Sequence, residues 1–228
     1  MVDDMIILKY LFIFCLFSVL GWILELVYRS IITKTIVNPG FMTGCVLPIY
    51  GFGAVIMNII CTLVSNSNSN YKGIIILLLS FVLLSLLEFI SGYILLKFFH
   101  LRLWDYSSRK FNIKGFICPL FSIIWTLLAF LYYHFIYSWV NNFSSTFVKN
   151  SFCLFSLGMF VGVFLIDLFI SIDLLKKLNI YAQSLKQTIS IEKIKMDSIK
   201  YSTRKKLWKA IYPYISTNKF LKEKTKKQ

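Results

Sequence analysis

The chain has 228 residues, of which 57% are hydrophobic and only 15% are charged, and its formal net charge is +15. A mean hydropathy of +0.71 excludes an ordinary soluble globular domain. Five continuous apolar runs are each long enough for a membrane-spanning helix, which needs about 20 residues. The sequence therefore predicts an all-α, polytopic helical membrane protein, because barrel strands would alternate instead.

The five predicted spans are separated by short polar connectors. The first span follows the acidic leader "MVDDM" and lacks a small-residue cleavage site, so we expect a retained helix rather than a signal peptide. The two outer connectors, "SNSNSN" and "NNFSSTF", are predicted to be plain turns. In chain order the spans are predicted at 6–28, 46–64, 73–97, 116–139 and 152–175, so that 1–175 forms the transmembrane domain.

The segment 176–228 is predicted to be a basic cytoplasmic tail. It carries 15 Lys and Arg residues against three acidic ones, a net charge of +12. Directly after a last span, such a tail is expected to lie on the anionic inner leaflet, in part as an amphipathic helix. The bilayer is thus the expected partner, and a nucleic acid is not.

The short loops agree with a cytoplasmic tail and an external N-terminus. With the tail inside the cell, the inner loops and their span ends carry seven basic residues and the outer loops two. This asymmetry is the positive-inside pattern of a multi-pass cell-membrane protein. The inner ones are Arg29, Lys34, Lys97, Arg102, Arg109, Lys110 and Lys114, and the outer ones are Lys72 and Lys149.

Ionisable residues inside the apolar runs are the first candidates for a site. Glu25 and Arg29 lie four residues apart near the inner end of the first span, which favours an ion pair at the cytoplasmic rim. Glu88 has no basic residue within four positions, so its partner must be another helix, water or a proton. Asp167 in the fifth span is similar, with Ser171 one turn later. Glu88 and Asp167 are therefore the stronger candidates for an intramembrane polar site.

The two inner loops resemble one another. In each, an asparagine precedes a glycine, and a cysteine and a proline follow before the next span begins. This order favours a parallel repeat of helix pairs 1–2 and 3–4, although Gly, Pro and Asn also gather at span ends for other reasons. The candidate loop residues are Asn38 and Gly40 in the first loop and Asn112 and Gly115 in the second.

A weak catalytic pattern lies in the second loop. His100 and Asp105 have the H-x-x-x-x-D spacing in which a histidine acts as a base and an aspartate orients it, as in lipid acyltransferases. One short motif is only a hypothesis, and the aromatic and basic residues around it are typical of interfacial anchors. The five cysteines contain no C-x-x-C pair, so no metal site and no cofactor is predicted.

Four blocks in order resemble a known family. They are "GWILELVYRSI", "VNPGFMTGCVLPIYGFGA", "LLEFISGYILLKFFHLRLWDYS" and "FNIKGFICPLFSIIW", which cover roughly 10–140. They are similar to the bacterial ABC-transporter permease family of type IV, the CmpB-like family. The resemblance implies arginines where this chain has Pro39 and Phe116. If those arginines bind an anionic group in relatives, this chain has lost or altered that ligand.

The resemblance implies a transport permease or an accessory membrane subunit. No G-x-x-x-x-G-K-[ST] motif occurs, so ATP hydrolysis would need a separate ATPase chain, and the protein is not expected to be an enzyme itself. Because five spans are few for a pore, a homo- or hetero-oligomer is expected. Two alternatives remain open: a non-transporting membrane scaffold of the cell envelope, and a membrane-embedded lipid-modifying enzyme.

Overall fold

The computed structural model describes residues 2–34, 38–99, 101–184 and 189–190. The regular secondary structure of the described residues is helical, apart from a parallel pairing of the two-residue strands β1 (Leu101–Arg102) and β2 (Ile189–Ser190) and an isolated antiparallel bridge between Ile113 and Ile117. The prediction of an all-α fold is thereby confirmed. The elements in chain order are α1 (Val2–Thr33), α2 (Pro48–Ser65), α3 (Lys72–Phe99), β1 (Leu101–Arg102), α4 (Pro119–Leu131), a π-helical segment (Tyr132–Ile136), α5 (Tyr137–Phe147), α6 (Ser151–Ser184) and β2 (Ile189–Ser190).

Five helical stretches of the described chain are long and apolar enough to cross a membrane, as predicted. Two of them begin at a proline, because proline lacks the N–H that a first helical turn leaves unpaired and has a backbone angle suited to that position. The stretches are Asp4–Ile32, Pro48–Ser65, Lys72–Phe98, Pro119–Phe147 and Ser151–Leu175.

The prediction that "NNFSSTF" is a turn was wrong, because this stretch belongs to α5. Its hydroxyl side chains bond within the helix: Ser145 Oγ donates to the Asn141 carbonyl at 2.7 Å, and Thr146 Oγ1 donates to the Asn142 carbonyl at 3.1 Å. Polar residues can thus continue a helix when its own carbonyls accept their hydrogen bonds. The other outer connector, "SNSNSN", lies between α2 and α3 as a short turn.

The tail prediction falls mostly outside the described residues. Helix α6 continues past the predicted end of the fifth span, to Ser184. Residues 185–188 and 191–228, which include the predicted amphipathic helix, are not described. The division into 1–175 and 176–228 therefore stays a prediction.

The chain forms two compact units, and each is described by itself. Of the described residues, unit 1 comprises 2–18, 48–93 and 105–161, and unit 2 comprises 19–34, 38–47, 94–99, 101–104, 162–184 and 189–190. Unit 1 has an apolar core that α1, α2, α3 and the α4–α5 region share. Its fully or almost fully buried members include Phe12, Ile13, Ala54, Met57, Cys61, Ile76, Leu84, Ala129, Tyr132 and Val140.

Two features of unit 1 concern the contacts around this core: a buried polar pair and a close approach of two helices. The π-helical segment contains Tyr132, whose hydroxyl accepts a hydrogen bond from Asn58 Nδ2 at 3.2 Å. Gly51 of α2 lies against α1 so closely that a Cβ atom there would be 2.6 Å from the carbonyl oxygen of Phe14. A close approach of this kind is what a small residue permits between membrane helices. His134, in the same π-helical segment, is exposed and lies 4.4 Å from the Phe130 ring between centroids.

Candidate functional site

The predicted ion pair at the end of α1 is present. Arg29 Nε donates to Glu25 Oε1 at 2.8 Å, and both side chains are 21% exposed. Because a partly exposed pair four residues apart adds only about 0.3–0.5 kcal/mol, it serves as a local anchor of the helix. This pair makes Glu25 and Arg29 weaker site candidates than Glu88 and Asp167.

Asn38 lies buried in the loop between α1 and α2 and organises it; this loop is called the first inner loop after its predicted side of the membrane, and the loop between α3 and α4 is called the second. Its side chain is 1% exposed, and its Nδ2 donates to the carbonyls of Met42, Thr43 and Gly44, each at 3.2 Å. Its Oδ1 accepts from the indole N–H of Trp22 at 3.0 Å and from the N–H of Gly40 at 3.4 Å. An irregular loop must pair its backbone groups when it is buried, and Asn38 supplies those partners.

Asp167 and Ser171 fasten the same loop to α6. The hydroxyl of Thr43 donates to Asp167 Oδ1, and the N–H of Gly44 lies 3.1 Å from each carboxylate oxygen. One turn later, Ser171 Oγ accepts from the Thr43 N–H at 3.1 Å. A Cβ atom at Gly44 would be 2.9 Å from Asp167 Oδ2, so glycine allows this approach. The aspartate is therefore satisfied by loop donors.

Cys45 offers a measurement of this contact. It is exposed in the loop, and burial of part of its surface raises the pKa of its thiol, which the negative charge of Asp167 raises further. Since the thiolate reacts, maleimide modification of Cys45 in detergent should accelerate with alkaline pH. Asp167→Asn keeps an acceptor for Gly44 but removes the charge, so it should speed the reaction by roughly two- to tenfold at a fixed pH.

Mass spectrometry of the modified peptide gives this rate. The Cys45→Ser variant is the control for specificity, because Cys15, Cys61 and Cys118 are buried but Cys153 is partly exposed and can also react. An unchanged rate in Asp167→Asn would mean that the thiol does not experience the aspartate charge.

Glu88 lies in a separate cluster, within unit 1. It is 3% exposed, and its Oε1 accepts from the Tyr106 hydroxyl at 3.0 Å. The Trp125 indole of α4 also interacts with the carboxyl group. Its Oε2 is buried and has no hydrogen-bond partner among the described residues. One turn away on α3, Ser85 donates to Ser122 of α4 at 2.8 Å, so this polar side chain of α3 faces another helix.

The loop that carries Tyr106 is organised by Asn112. The Asn112 side chain donates to the carbonyls of Ser107 and Arg109 at 3.2 and 2.8 Å, and its Oδ1 accepts from the Gly115 N–H at 3.0 Å. Gly115 has a positive φ of 72°, which glycine adopts without strain. The Tyr106 N–H then donates to the Gly115 carbonyl at 2.9 Å, which places its ring.

Both inner loops thus use one asparagine in the same manner. Asn38 and Asn112 each donate to loop carbonyls and each accept from the N–H of a following glycine, Gly40 or Gly115. These shared contacts agree with the predicted repeat, but they do not establish it, and it stays a prediction. The functional role of the four loop residues likewise stays a prediction.

Sequence reasoning missed the partners of Glu88 and Asp167. Glu88 is bonded by Tyr106 and Asp167 by Thr43 and Gly44, so each acid contacts one inner loop within its own unit. The two acids accordingly belong to two clusters, not to a single described site. The only available signal was that Tyr106 and Thr43 are hydroxyl residues in the conspicuous loop blocks.

Comparison with known proteins supplies the family. The family model described as "Putative ABC-transporter type IV" matches residues 12–172, which is most of the chain. This chain belongs to that family. The match extends the type IV ABC-transporter resemblance beyond its four blocks to include Asp167 and Ser171. No curated protein and no solved structure gave a match.

Two positions stand apart from the type IV family pattern that the resemblance implies. Phe116, in place of an arginine, is 3% exposed, and its ring packs edge-on against Phe89 at 5.6 Å between centroids. Pro39, at the other such position, is also buried. Neither proline nor phenylalanine carries a charge, and the loss or change of an anionic ligand stays a prediction.

The H-x-x-x-x-D pattern stays a prediction. The carboxylate of Asp105 accepts from the Ser107 N–H at 2.9 Å and from the Ser107 hydroxyl, which makes it a turn-forming residue. His100 lies outside the described residues. Within the parts of the chain that are described, no group of three or more His, Cys, Asp or Glu side chains is placed to hold a metal ion.

Proposed function

We propose that this protein is a membrane subunit of an ABC-type transport system, either a permease or an accessory subunit. The observation that carries the proposal is membership of the type IV ABC-transporter family over residues 12–172. Five helices with the length and composition of membrane spans support it. The two inner loops, each organised around an asparagine side chain, supply irregular backbone of the kind that lines transport pathways.

In this proposal a separate chain binds and hydrolyses ATP. The 228 residues contain no phosphate-binding G-x-x-x-x-G-K-[ST] motif, so the protein is not itself the ATPase. The ATPase docks on the inner loops, which are basic and carry Asn38 and Asn112. A second copy or another permease completes the pathway.

The orientation belongs to the same proposal. The N-terminus lies outside the cell and the basic tail lies in the cytoplasm, because the inner loops carry seven basic residues against two outside. A membrane-impermeant form of the thiol reagent used for Cys45 tests this orientation. It should modify Cys45 in inverted vesicles and not in intact cells, and the reverse result would invert the topology.

The function is tested by purification of the tagged full chain from native membranes in mild detergent, followed by mass spectrometry. We expect a stoichiometric polypeptide that contains a phosphate-binding loop, and ATP hydrolysis by the purified complex. An unrelated five-span protein with the same tag is the control for carry-over. Recovery of the protein alone, or with envelope proteins that lack this motif, would instead favour the scaffold or the lipid-enzyme alternative.

A further inference from the structure

Glu88 differs from the other acids whose contacts have been described. The Glu25 carboxylate pairs with Arg29, and the Asp167 carboxylate accepts from Thr43 and Gly44. Glu88 is 3% exposed, its Oε1 accepts a hydrogen bond from the Tyr106 phenol, and its Oε2 is buried without a partner among the described residues. Its environment therefore does not compensate a full negative charge.

The surroundings of this carboxyl group are aromatic. From the second inner loop, Tyr106 bonds to it and stacks on Phe121 at 4.4 Å between ring centroids. From α4, Trp125 interacts with it and packs against Tyr50 of α2 at 5.2 Å. None of these groups is a basic side chain, so none of them offers a positive charge to the carboxylate. The neighbouring residues of α3 add no charge, since no basic residue lies within four positions.

Chemistry then favours one ligand for the unpartnered oxygen. A buried carboxylate needs a cation, a metal or several donors, and without them the group takes up a proton instead. Unlike a metal ion or a water molecule, a proton needs no cavity, so it can bind to this enclosed side chain. The hydrogen bond from Tyr106 to Oε1 survives when Oε2 is protonated.

We propose that Glu88 is a proton-binding site, with the proton on Oε2 at neutral pH and Tyr106 as the positioning residue. Release breaks the Oε2–H bond and passes the proton to a water molecule that reaches the group, leaving a carboxylate. The Tyr106 hydroxyl keeps its own proton and stabilises that carboxylate. The site goes beyond the proposed transport function, because it needs no ATPase partner.

A hydrophobic carbodiimide tests the site on the full chain in lipid nanodiscs. The reagent takes the acid proton, the carboxylate adds to its central carbon, and rearrangement leaves the whole reagent attached as an acylurea. Peptide mass spectrometry should find Glu88 modified at neutral pH and less so in alkaline buffer. Glu25 is the internal control, and we expect about tenfold less modification there because its carboxylate is paired with Arg29.

Two variants and a second readout make the result decisive. Tyr106→Phe removes the donor that favours the carboxylate, so modification should persist to more alkaline pH; an unchanged pH profile would reject the role of Tyr106.

Infrared spectroscopy should find a protonated-carboxyl carbonyl band in the wild type that is lost in Glu88→Gln. If that band is absent at neutral pH, the proposal is overturned whether or not the reagent reaches the site, and failure to recover an ATPase leaves it unaffected.

Discussion

Replacing Gly51 by alanine is expected to destabilise the protein more than any other glycine-to-alanine change described here. The added Cβ atom would lie 2.6 Å from the Phe14 carbonyl oxygen, 2.7 Å from Phe14 Cδ2, and against Ser18 Oγ. The carbonyl belongs to the backbone of α1, so relief requires the helices of unit 1 to separate. Overpacking of this kind costs about 1–3 kcal/mol of folding free energy.

The measurement is the thermal midpoint in detergent together with the yield of monodisperse protein. Gly53→Ala on the same helix is the matched control, because its nearest contact, Leu84 Cδ2, is at an ordinary 3.7 Å. Alanine is the better helix former by roughly 0.5–1 kcal/mol, so the control should be neutral or slightly stabilised. Equal midpoints for the two variants would contradict the close packing of α1 and α2 at Gly51.

Replacing Asn38 by alanine should give the second large effect, centred on the first inner loop. The change removes the acceptor of the Trp22 and Gly40 N–H groups and the donor to three loop carbonyls. Because Asn38 is 1% exposed, water does not replace all these bonds, and each buried group left unpaired costs about 1–3 kcal/mol. We expect faster hydrogen exchange at the backbone amides of Gly40 and the residues that follow it, measured by mass spectrometry.

Two further variants locate the cause. Asn38→Asp keeps the acceptor for Trp22 but loses the donor, so its exchange should lie between that of the wild type and that of Asn38→Ala. Asn112→Ala is the matched control in the other inner loop, where the asparagine is only half-buried. Its effect should be smaller, and confined to the backbone near Gly115. If Asn38→Ala leaves exchange in the first loop unchanged, the side chain does not organise that loop.

The sequence was sufficient for the spans and for the polar residues inside them. Hydropathy follows directly from composition, so all five spans were found, and a lone acid in such a run is conspicuous. The partners were not predictable, because Glu88 and Tyr106 are 18 residues apart and Asp167 and Gly44 are 123 apart. Gly51 carried no signal, since only the approach of α1 makes its missing Cβ matter.

Helix ends were harder to predict for a different reason. Composition alone made the polar stretch after the fourth span a loop, whereas its serines and threonine bond to carbonyls of their own helix. The π-helical segment was equally invisible. Its residues form an ordinary aromatic run, and nothing in that run indicates the contact of Tyr132 with Asn58 in the core.

The π-helical segment determines which side of the fourth span faces each neighbouring helix. A turn with i→i+5 bonding holds more residues than an α-helical turn, so the residues after it are rotated back around the axis. Tyr132 at the start of this segment and Val140 and Ser144 after it are all buried in unit 1. The part of the span that follows the segment can therefore pack on a neighbouring helix with a side that an uninterrupted α-helix would turn elsewhere. The π-helical turn thus lets the two halves of one membrane helix present different faces to their neighbours.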